Sequence, residues 1–199
     1  ALRAIMRAVI SKKGCMFLCP TTILADQHYI TCKERLAGLG IRVALLSRFK
    51  TTKEKNNVLE KTKFGFVDLL IGTHRLLSPD VVFPSLGLLI VDEEQRFGVR
   101  HKEKMRTLQS NLDVITLSAT PIPRTLQQST SGLRNISRIQ TPPKSRKPIN
   151  TDVRFFNWGL IFSYIKNEID NDGQVYFVHN DIKSMKFISN KISAFFPNF

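Results

Sequence analysis

The stretch Leu86–Gln95, with the sequence LGLLIVDEEQ, is an apolar run that ends in three acidic residues and a glutamine. A continuous apolar run without alternation predicts a strand buried on both faces, which is typical of parallel sheets covered by helices. In such sheets, ligands bind beyond the carboxyl ends of the strands. The carboxylates of Asp92 and Glu93 are therefore predicted to lie where a ligand can bind.

Outside this stretch, short apolar strands alternate with turns and helices. Further strands are predicted at Cys15–Cys19, Arg42–Leu46, Val67–Ile71 and Val114–Leu117. Helices are predicted at 1–12, Ile23–Leu39 and Thr52–Thr62, and a short helical turn at Arg75–Leu77. The repeated order of strand, turn and helix favours an α/β fold in which one parallel sheet has helices on both faces.

The segment Thr141–Pro148 contains three prolines and three basic residues, a composition that rarely forms a regular element. It predicts a linker over residues 142–149, which would separate a first domain over 1–141 from a second segment over 150–199. In the second segment we predict strands at Asn150–Phe155 and Gln174–His179, and helices near Gly159–Ile169 and Lys183–Phe195. These elements are interpreted as the opening of a second α/β unit.

The charge balance is strongly basic, with 30 Lys and Arg against 16 Asp and Glu and a net charge of +14. Such a surplus indicates a polyanionic partner, most often nucleic acid, although a generally basic source proteome is the plainer explanation. No apolar run approaches the ~20 residues of a membrane span, so no membrane partner is expected. The three cysteines have no zinc-finger spacing and are interpreted as reduced thiols of a cytoplasmic protein.

The acidic residues after the Leu86–Val91 strand suit nucleotide hydrolysis. That reaction needs one carboxylate that holds Mg²⁺, usually through water, and another that polarises the attacking water. We assign Asp92 to the metal and Glu93 to the water, the alternative being a solvated acidic loop. The string Ser118-Ala119-Thr120 follows the next strand, and its hydroxyl groups can hydrogen-bond to the acidic loop. The alternative for Thr120 is simple helix capping before Pro121.

Polar and basic residues also follow three other predicted strands. They are Thr21 and Thr22, Arg48, and the run Gly72, Thr73, His74 and Arg75. Helix N-terminal N–H groups, hydroxyls and guanidinium groups all suit a nucleic-acid phosphate, and glycine permits close backbone approach. The alternatives are a capped helix, an ordinary basic surface loop and, for His74, a structural loop histidine.

Taken in chain order, the strings PTT…Q, GTH, DEEQ and SAT, followed by a second α/β unit, resemble the conserved motifs of superfamily 2 helicases. Three longer strings are more specific: Ile71–Leu77 (IGTHRLL), Val91–Arg100 (VDEEQRFGVR) and Thr120–Leu126 (TPIPRTL). They resemble the group formed by the RecG branch-migration helicases and the transcription–repair coupling factors. The resemblance covers essentially the whole chain.

Within that group, three segments favour the coupling factors. Leu46–Phe49 (LSRF) is similar to them where RecG has a Thr-Gly turn, and Asp92–Gln95 (DEEQ) fits them better than the DEQH of RecG. Gly173–Asp181 (GQVYFVHND) resembles the coupling-factor string GQVYYLYND. A RecG-like branch-migration helicase is the alternative within the family, and a non-catalytic DNA-binding module is the alternative for the isolated chain.

The resemblance implies a motor of two RecA-like lobes, of the P-loop NTPase type, with ATP and Mg²⁺ bound between them. Such a motor translocates on double-stranded DNA, displaces stalled RNA polymerase and recruits excision-repair proteins in the bacterial cytoplasm, at the nucleoid. Asp92, Glu93 and Gln95 would be the catalytic and coupling residues, and Ser118, Ala119 and Thr120 would sense the nucleotide. The DNA-side residues would be Thr21, Thr22, Gln27, Arg48, Gly72, Thr73, His74, Arg75 and Arg124.

The family's phosphate loop, G-x-x-x-x-G-K-[ST], does not occur in the 199 residues. The resemblance places it just before Ala1, so residues 1–141 are expected to be a first lobe that lacks this loop, and 150–199 part of a second lobe. Because the loop's Lys and Thr hold the phosphates and Mg²⁺, the 199-residue chain alone is expected to hydrolyse ATP poorly or not at all.

Overall fold

The computed structural model describes residues 1–109, 112–119, 137–139, 141 and 149–197. The chain divides into two compact units, Ala1–Ser137 and Arg138–Phe199, and each is considered by itself. Two predicted site residues, Thr120 and Arg124, lie outside the described residues, as does 142–148 of the predicted linker.

The first unit contains a five-stranded sheet in the order β2-β3-β1-β4-β5, and every neighbouring pair of strands is parallel. The strands are β1 (Gly14–Leu18), β2 (Val43–Leu46), β3 (Leu69–Gly72), β4 (Leu86–Asp92) and β5 (Asp113–Leu117). All residues of β1 and β3 are buried, because both faces of these inner strands are covered. The predicted parallel sheet is confirmed.

Local side chains cap the N-termini of two helices in this unit. The helices among its described residues are α1 (Leu2–Ile10), α2 (Thr22–Leu36), α3 (Thr52–Lys63) and α4 (Val99–Gln109), with 3₁₀ turns at Ala37–Leu39, His74–Leu77 and Glu94–Arg96. The hydroxyl of Thr21 accepts a hydrogen bond from the N–H of Leu24 (3.3 Å) and caps α2. Thr51 and Glu54 form a capping box at the start of α3. Helix α4 was not predicted, because its sequence is polar and Met105 is the buried apolar residue that identifies its inner face.

Helices cover both faces of the sheet. Successive strand residues point to opposite faces, so Phe17 of β1 packs in a core cluster with residues of α1 and α2, whereas Leu18 packs in a second cluster with α3 and α4. Full burial of one such apolar side chain contributes about 1.5–3 kcal/mol. The expected α/β architecture with helices on both faces is therefore confirmed.

The second unit has two helices among its described residues, α5 (Trp158–Asp170) and α6 (Ile182–Phe195). Asn157 and Asp181 cap them through hydrogen bonds to backbone N–H groups. The rings of Phe162 and Phe195 stack at 4.2 Å and join the two helices. Both helices agree with the predicted positions.

The two strands predicted in this unit were wrong. Asn150–Phe155 and Gln174–His179 form no strand, and within the described part of the unit no strand is present. The side chains of Phe155 and Tyr176 are 99% and 91% exposed. An apolar, β-branched pattern expresses a preference for a half-buried sheet surface, but a strand also requires a neighbouring backbone, and the described residues supply none here.

Of the helices described above, none is long and apolar enough to cross a membrane.

Candidate functional site

The carboxyl ends of all five strands lie on one edge of the sheet, because the strands are parallel. Each predicted site segment of the first unit follows one of these ends. The edge has two parts: an acidic part after β4 and β5, and a groove formed after β1, β2 and β3.

The acidic part begins at Asp92, the last residue of β4. Glu93 then adopts a left-handed backbone conformation (φ 49°, ψ 53°), which is uncommon for residues other than glycine and recurs at functional sites. The N–H of Glu93 donates a hydrogen bond to the carbonyl oxygen of Leu117 (2.9 Å). The turn after β4 is thus attached to the end of β5.

The Glu93 carboxylate is held by two donors. Its Oε2 accepts a hydrogen bond from Nε2 of Gln95, and its Oε1 accepts one from the backbone N–H of Ala119 (3.4 Å). The hydroxyl of Ser118 donates to Oε1 of Gln95 (3.4 Å). The structure therefore brings Glu93, Gln95, Ser118 and Ala119 together, as the sequence predicted, while their chemical roles stay predictions.

Asp92 has a partner that the sequence did not reveal. Nε2 of His28, on α2, lies 3.1 Å from Oδ2 of Asp92, and the His28 ring stacks on Phe17 at 4.6 Å. The two polar side chains are 31% and 17% exposed. A signal was present, since Ala25 and Cys32 are buried on α2 and His28 occupies the same face at helical spacing.

Asp92 can serve a magnesium ion in one specific way. Mg²⁺ keeps several waters and usually takes one or two protein carboxylates. The contact with His28 uses Oδ2 of Asp92, so within the described part of the chain Oδ1 is the oxygen left for a metal-bound water. No group of three or more His, Cys, Asp and Glu residues within the described ranges can hold a metal. The residues present therefore fit a magnesium ion held by one carboxylate through water, together with a nucleotide.

The groove has a volume of about 580 Å³. Its lining residues come from three strand ends and from α3: Pro20, Thr21, Thr22, Leu46, Ser47, Arg48, Lys55, Thr73, His74 and Arg75. The structure thus unites six predicted DNA-side residues. Gln27 is exposed on α2 and does not line the groove, and Gly72 packs against the adjacent strand.

Lys55 is a groove residue that sequence reasoning missed. Its Nζ donates a hydrogen bond to the carbonyl oxygen of Arg48 (3.2 Å). The Arg48 guanidinium lies over the exposed ring of Phe49, at 5.2 Å from the ring centroid. Lys55 belongs to a lysine-rich polar helix, and nothing local distinguishes it from its exposed neighbours.

Two predicted DNA-side residues already have protein partners. Nη1 of Arg75 donates to Oδ1 of Asp80 (2.6 Å), and Nη2 donates to Oδ2. These hydrogen bonds raise the pKa of Arg75 and lower the pKa of Asp80. His74 stacks on His101 of α4 at 4.9 Å; burial, and then the nearby His74, lower the pKa of His101. This stacking contact supports the alternative in which His74 is a structural loop histidine.

The three cysteines are buried and free of disulfides. Burial, with a smaller effect of Asp68 on Cys15 and of Asp92 on Cys19, raises the pKa of both thiols to about 12. Burial also raises the pKa of Cys32. These thiols are therefore protonated at neutral pH and belong to the core.

The fold is that of a helicase domain. Residues 1–129 match the DEAD/DEAH box helicase family, and the chain belongs to that family.

Within the family, the chain is similar over its whole length to the transcription-repair-coupling factors. It is 50% identical over 198 residues to that of Bacillus subtilis (strain 168) and 48% identical to that of Staphylococcus aureus (strain USA300). The match covers 100% of this chain and 17% of each relative, so the chain spans about a sixth of their length. The resemblance stated from the sequence is confirmed.

A solved structure of RecG bound to a three-way DNA junction is similar to this fold. The TM-score is 0.73 at 32% sequence identity, and the match covers 97% of this chain and 26% of the RecG chain. The RecA-like architecture expected from the sequence is thus confirmed.

Proposed function

We propose that the chain is part of the motor of an ATP-dependent double-stranded DNA translocase that displaces stalled RNA polymerase and couples transcription to nucleotide excision repair. The observation that carries the proposal is the position of Asp92 and Glu93 at the end of a buried strand, on the same sheet edge as a polar, basic groove. The whole-length similarity to the coupling factors supports the particular activity.

On the nucleotide side, each carboxylate has a distinct task. Magnesium, when bound with ATP, would neutralise charge on the phosphate oxygens. Asp92 would hold one of the metal's waters through Oδ1, and Glu93 would orient the attacking water and accept its proton. Because Glu93 is hydrogen-bonded to Gln95 and Ala119, its carboxylate is oriented by the turn and by the segment after β5.

On the DNA side, the groove offers phosphate-binding groups of several kinds. Thr21 and Thr22 stand at the N-terminus of α2, whose N–H groups and dipole favour an anion. Arg48 and Lys55 add positive charge, and Thr73 adds a hydroxyl. Arg75, oriented by Asp80, would contact a phosphate with part of its charge already neutralised. The similar RecG structure, which holds a DNA junction, supports this assignment.

A contact after β5 is the proposed route between nucleotide and DNA. Ser118 donates to Gln95, which in turn donates to Glu93. A change at the nucleotide that moved Glu93 would therefore move Gln95 and the segment beginning at Ser118. We assign Gln95, Ser118, Ala119 and Thr120 this coupling role.

The partners follow from the same proposal. RNA polymerase and excision-repair proteins would bind other parts of the longer protein, which would act in the bacterial cytoplasm at the nucleoid. A branch-migration helicase is the second candidate, supported by the structural similarity to RecG. The higher identity to the coupling factors, 50% against 32%, favours the first proposal.

The test is DNA-stimulated phosphate release by the full-length protein, comparing wild type with Glu93→Gln. We expect loss of about 10²–10⁴-fold in turnover, the usual contribution of general base catalysis, with DNA binding retained. Glu34→Gln, an exposed acid on α2, is the matched control and should keep wild-type turnover. If the wild type binds duplex DNA but does not hydrolyse ATP, the motor assignment is wrong and the protein is a DNA-binding module.

The 199-residue chain itself should show no steady DNA-stimulated hydrolysis, because it contains no G-x-x-x-x-G-K-[ST] string. Sustained phosphate release by the purified chain would contradict this expectation.

A further inference from the structure

Helix α2 reaches both parts of the carboxyl edge. Its N-terminus, at Thr21 and Thr22, lines the groove, and His28, six residues after Thr22, contacts Asp92 of β4. Six residues of α-helix span about 9 Å. A single rigid element therefore extends from the phosphate-binding groups to the metal-side carboxylate.

The imidazole of His28 is constrained in two ways. The ring stacks on Phe17 with centroids 4.6 Å apart and an interplanar angle of 30°. Its Nε2 lies 3.1 Å from Oδ2 of Asp92, and because an ionised carboxylate only accepts, Nε2 must carry the proton. Phe17 belongs to β1 and pairs with Ile90 of β4, two residues before Asp92. The stacking partner and the acceptor are thus fixed by the same sheet.

A carboxylate that serves a metal needs a defined orientation. Side chains that hydrogen-bond to metal-binding groups orient them, and their loss typically costs 10–100-fold in metal affinity. Rotation about the Cα–Cβ and Cβ–Cγ bonds would otherwise let Asp92 present either oxygen. The donor on His28 selects Oδ2 and leaves Oδ1 for the metal's water.

We propose that His28 is a positioning residue for Asp92: it holds Oδ2 so that the other carboxylate oxygen is presented to the water shell of a nucleotide-bound magnesium ion. This inference rests on the proposed function. Through α2, it also connects the start of the DNA groove with the metal-side carboxylate. The competing explanation is a contact that only stabilises the packing of α2 on the sheet.

Two substitutions separate these explanations. His28→Gln places an amide N–H at a similar distance from the backbone as Nε2 and keeps the donor. His28→Met has similar length and no donor. A packing role predicts that the two variants behave alike, whereas a positioning role predicts that glutamine rescues the function and methionine does not.

The measurement is equilibrium binding of a fluorescent, non-hydrolysable ATP analogue to the full-length protein, titrated with magnesium and repeated in EDTA. For His28→Met we expect the magnesium concentration at half-maximal binding to rise about 10-fold, the low end of the usual range for loss of an orienting contact, because Asp92 reaches the metal through water; affinity in EDTA should be unchanged. His28→Gln should stay within a few-fold of wild type. A magnesium requirement that both variants share with the wild type would overturn the proposal.

Two further outcomes are distinguishable. If the wild type itself binds the analogue without any effect of magnesium, the proposed function fails and not only the role of His28. If His28→Met does not fold, His28→Asn replaces it, because its amide is one methylene shorter than that of glutamine. Equal magnesium dependence of the Gln and Asn variants would then contradict the positioning role.

Discussion

Gly72 lies against the backbone of Leu46, and a β-carbon at Gly72 would stand 2.7 Å from the carbonyl oxygen of Leu46. The two residues are paired in register at the ends of β3 and β2. The same β-carbon would also lie 3.0 Å from Cδ2 of Leu76. Ser47 and Thr73, the first residues after the two strands, both line the groove, so glycine at position 72 sets the spacing of the strands beneath it.

Gly72→Ala is expected to lower the free energy of unfolding by about 1–3 kcal/mol, the usual cost of overpacking. It should also weaken DNA binding, because the groove residues on the two strands would be displaced. Gly38→Ala is the matched control, since nothing lies within 4 Å of its added β-carbon. Urea denaturation of both variants provides the measurement. Equal midpoints for the two variants would mean that the strands adjust without cost.

Arg48→Ala is expected to reduce the salt dependence of DNA binding. A cation that neutralises one phosphate contributes about 1 to the slope of log K against log salt, and Arg48 lines the groove. Lys33→Ala removes an exposed cation from α2 that does not line the groove, and should leave the slope unchanged. Fluorescence anisotropy with duplex DNA at several salt concentrations measures both. If both variants show the same slope of log K against log salt, Arg48 does not contact a phosphate.

The ion pair between Asp68 and Arg42 is expected to stabilise the folded protein at neutral pH, and this stabilisation should be lost at acid pH. Hydrogen bonds from the Arg42 side chain (2.7 and 2.9 Å) hold the pKa of Asp68 below its usual range, against the opposing effect of burial. A lowered folded-state pKa stabilises the protein above the unfolded pKa of about 3.9, and the contribution disappears as pH falls through the folded value.

Asp68→Asn should therefore lower the free energy of unfolding at pH 7 by about 1.5–3 kcal/mol, as expected for a charged hydrogen bond. The difference from wild type should shrink as the pH falls below about 3.9. Thermal unfolding at pH 7, 5 and 3 tests this. Asp113→Asn, which changes an exposed acid at the start of β5, is the control. If the difference in unfolding free energy between wild type and Asp68→Asn stays constant with pH, the ion pair is not its cause.

Local sequence was sufficient for the first unit's sheet. The uninterrupted apolar runs, such as Leu86–Val91, are strongly preferred in strands buried on both faces, and the parallel sheet follows from them. Helix α4 was not predicted, because its sequence is polar and, among its described side chains, Met105 alone is buried, which leaves little periodic signal. In the second unit, Gln174–His179 has a strand-like pattern but pairs with no strand among the residues that the structure describes.

The sequence by itself determined that acidic, hydroxyl and basic groups would follow strands, and parallel strands place all their carboxyl ends on one edge. Only the tertiary structure decided which side chains meet there. His28 and Asp92 are 64 positions apart, and Arg75 turns to Asp80 while Lys55 joins the groove. These contacts depend on how helices pack against the sheet, and distances of a few ångströms between separate elements leave no local pattern in the chain.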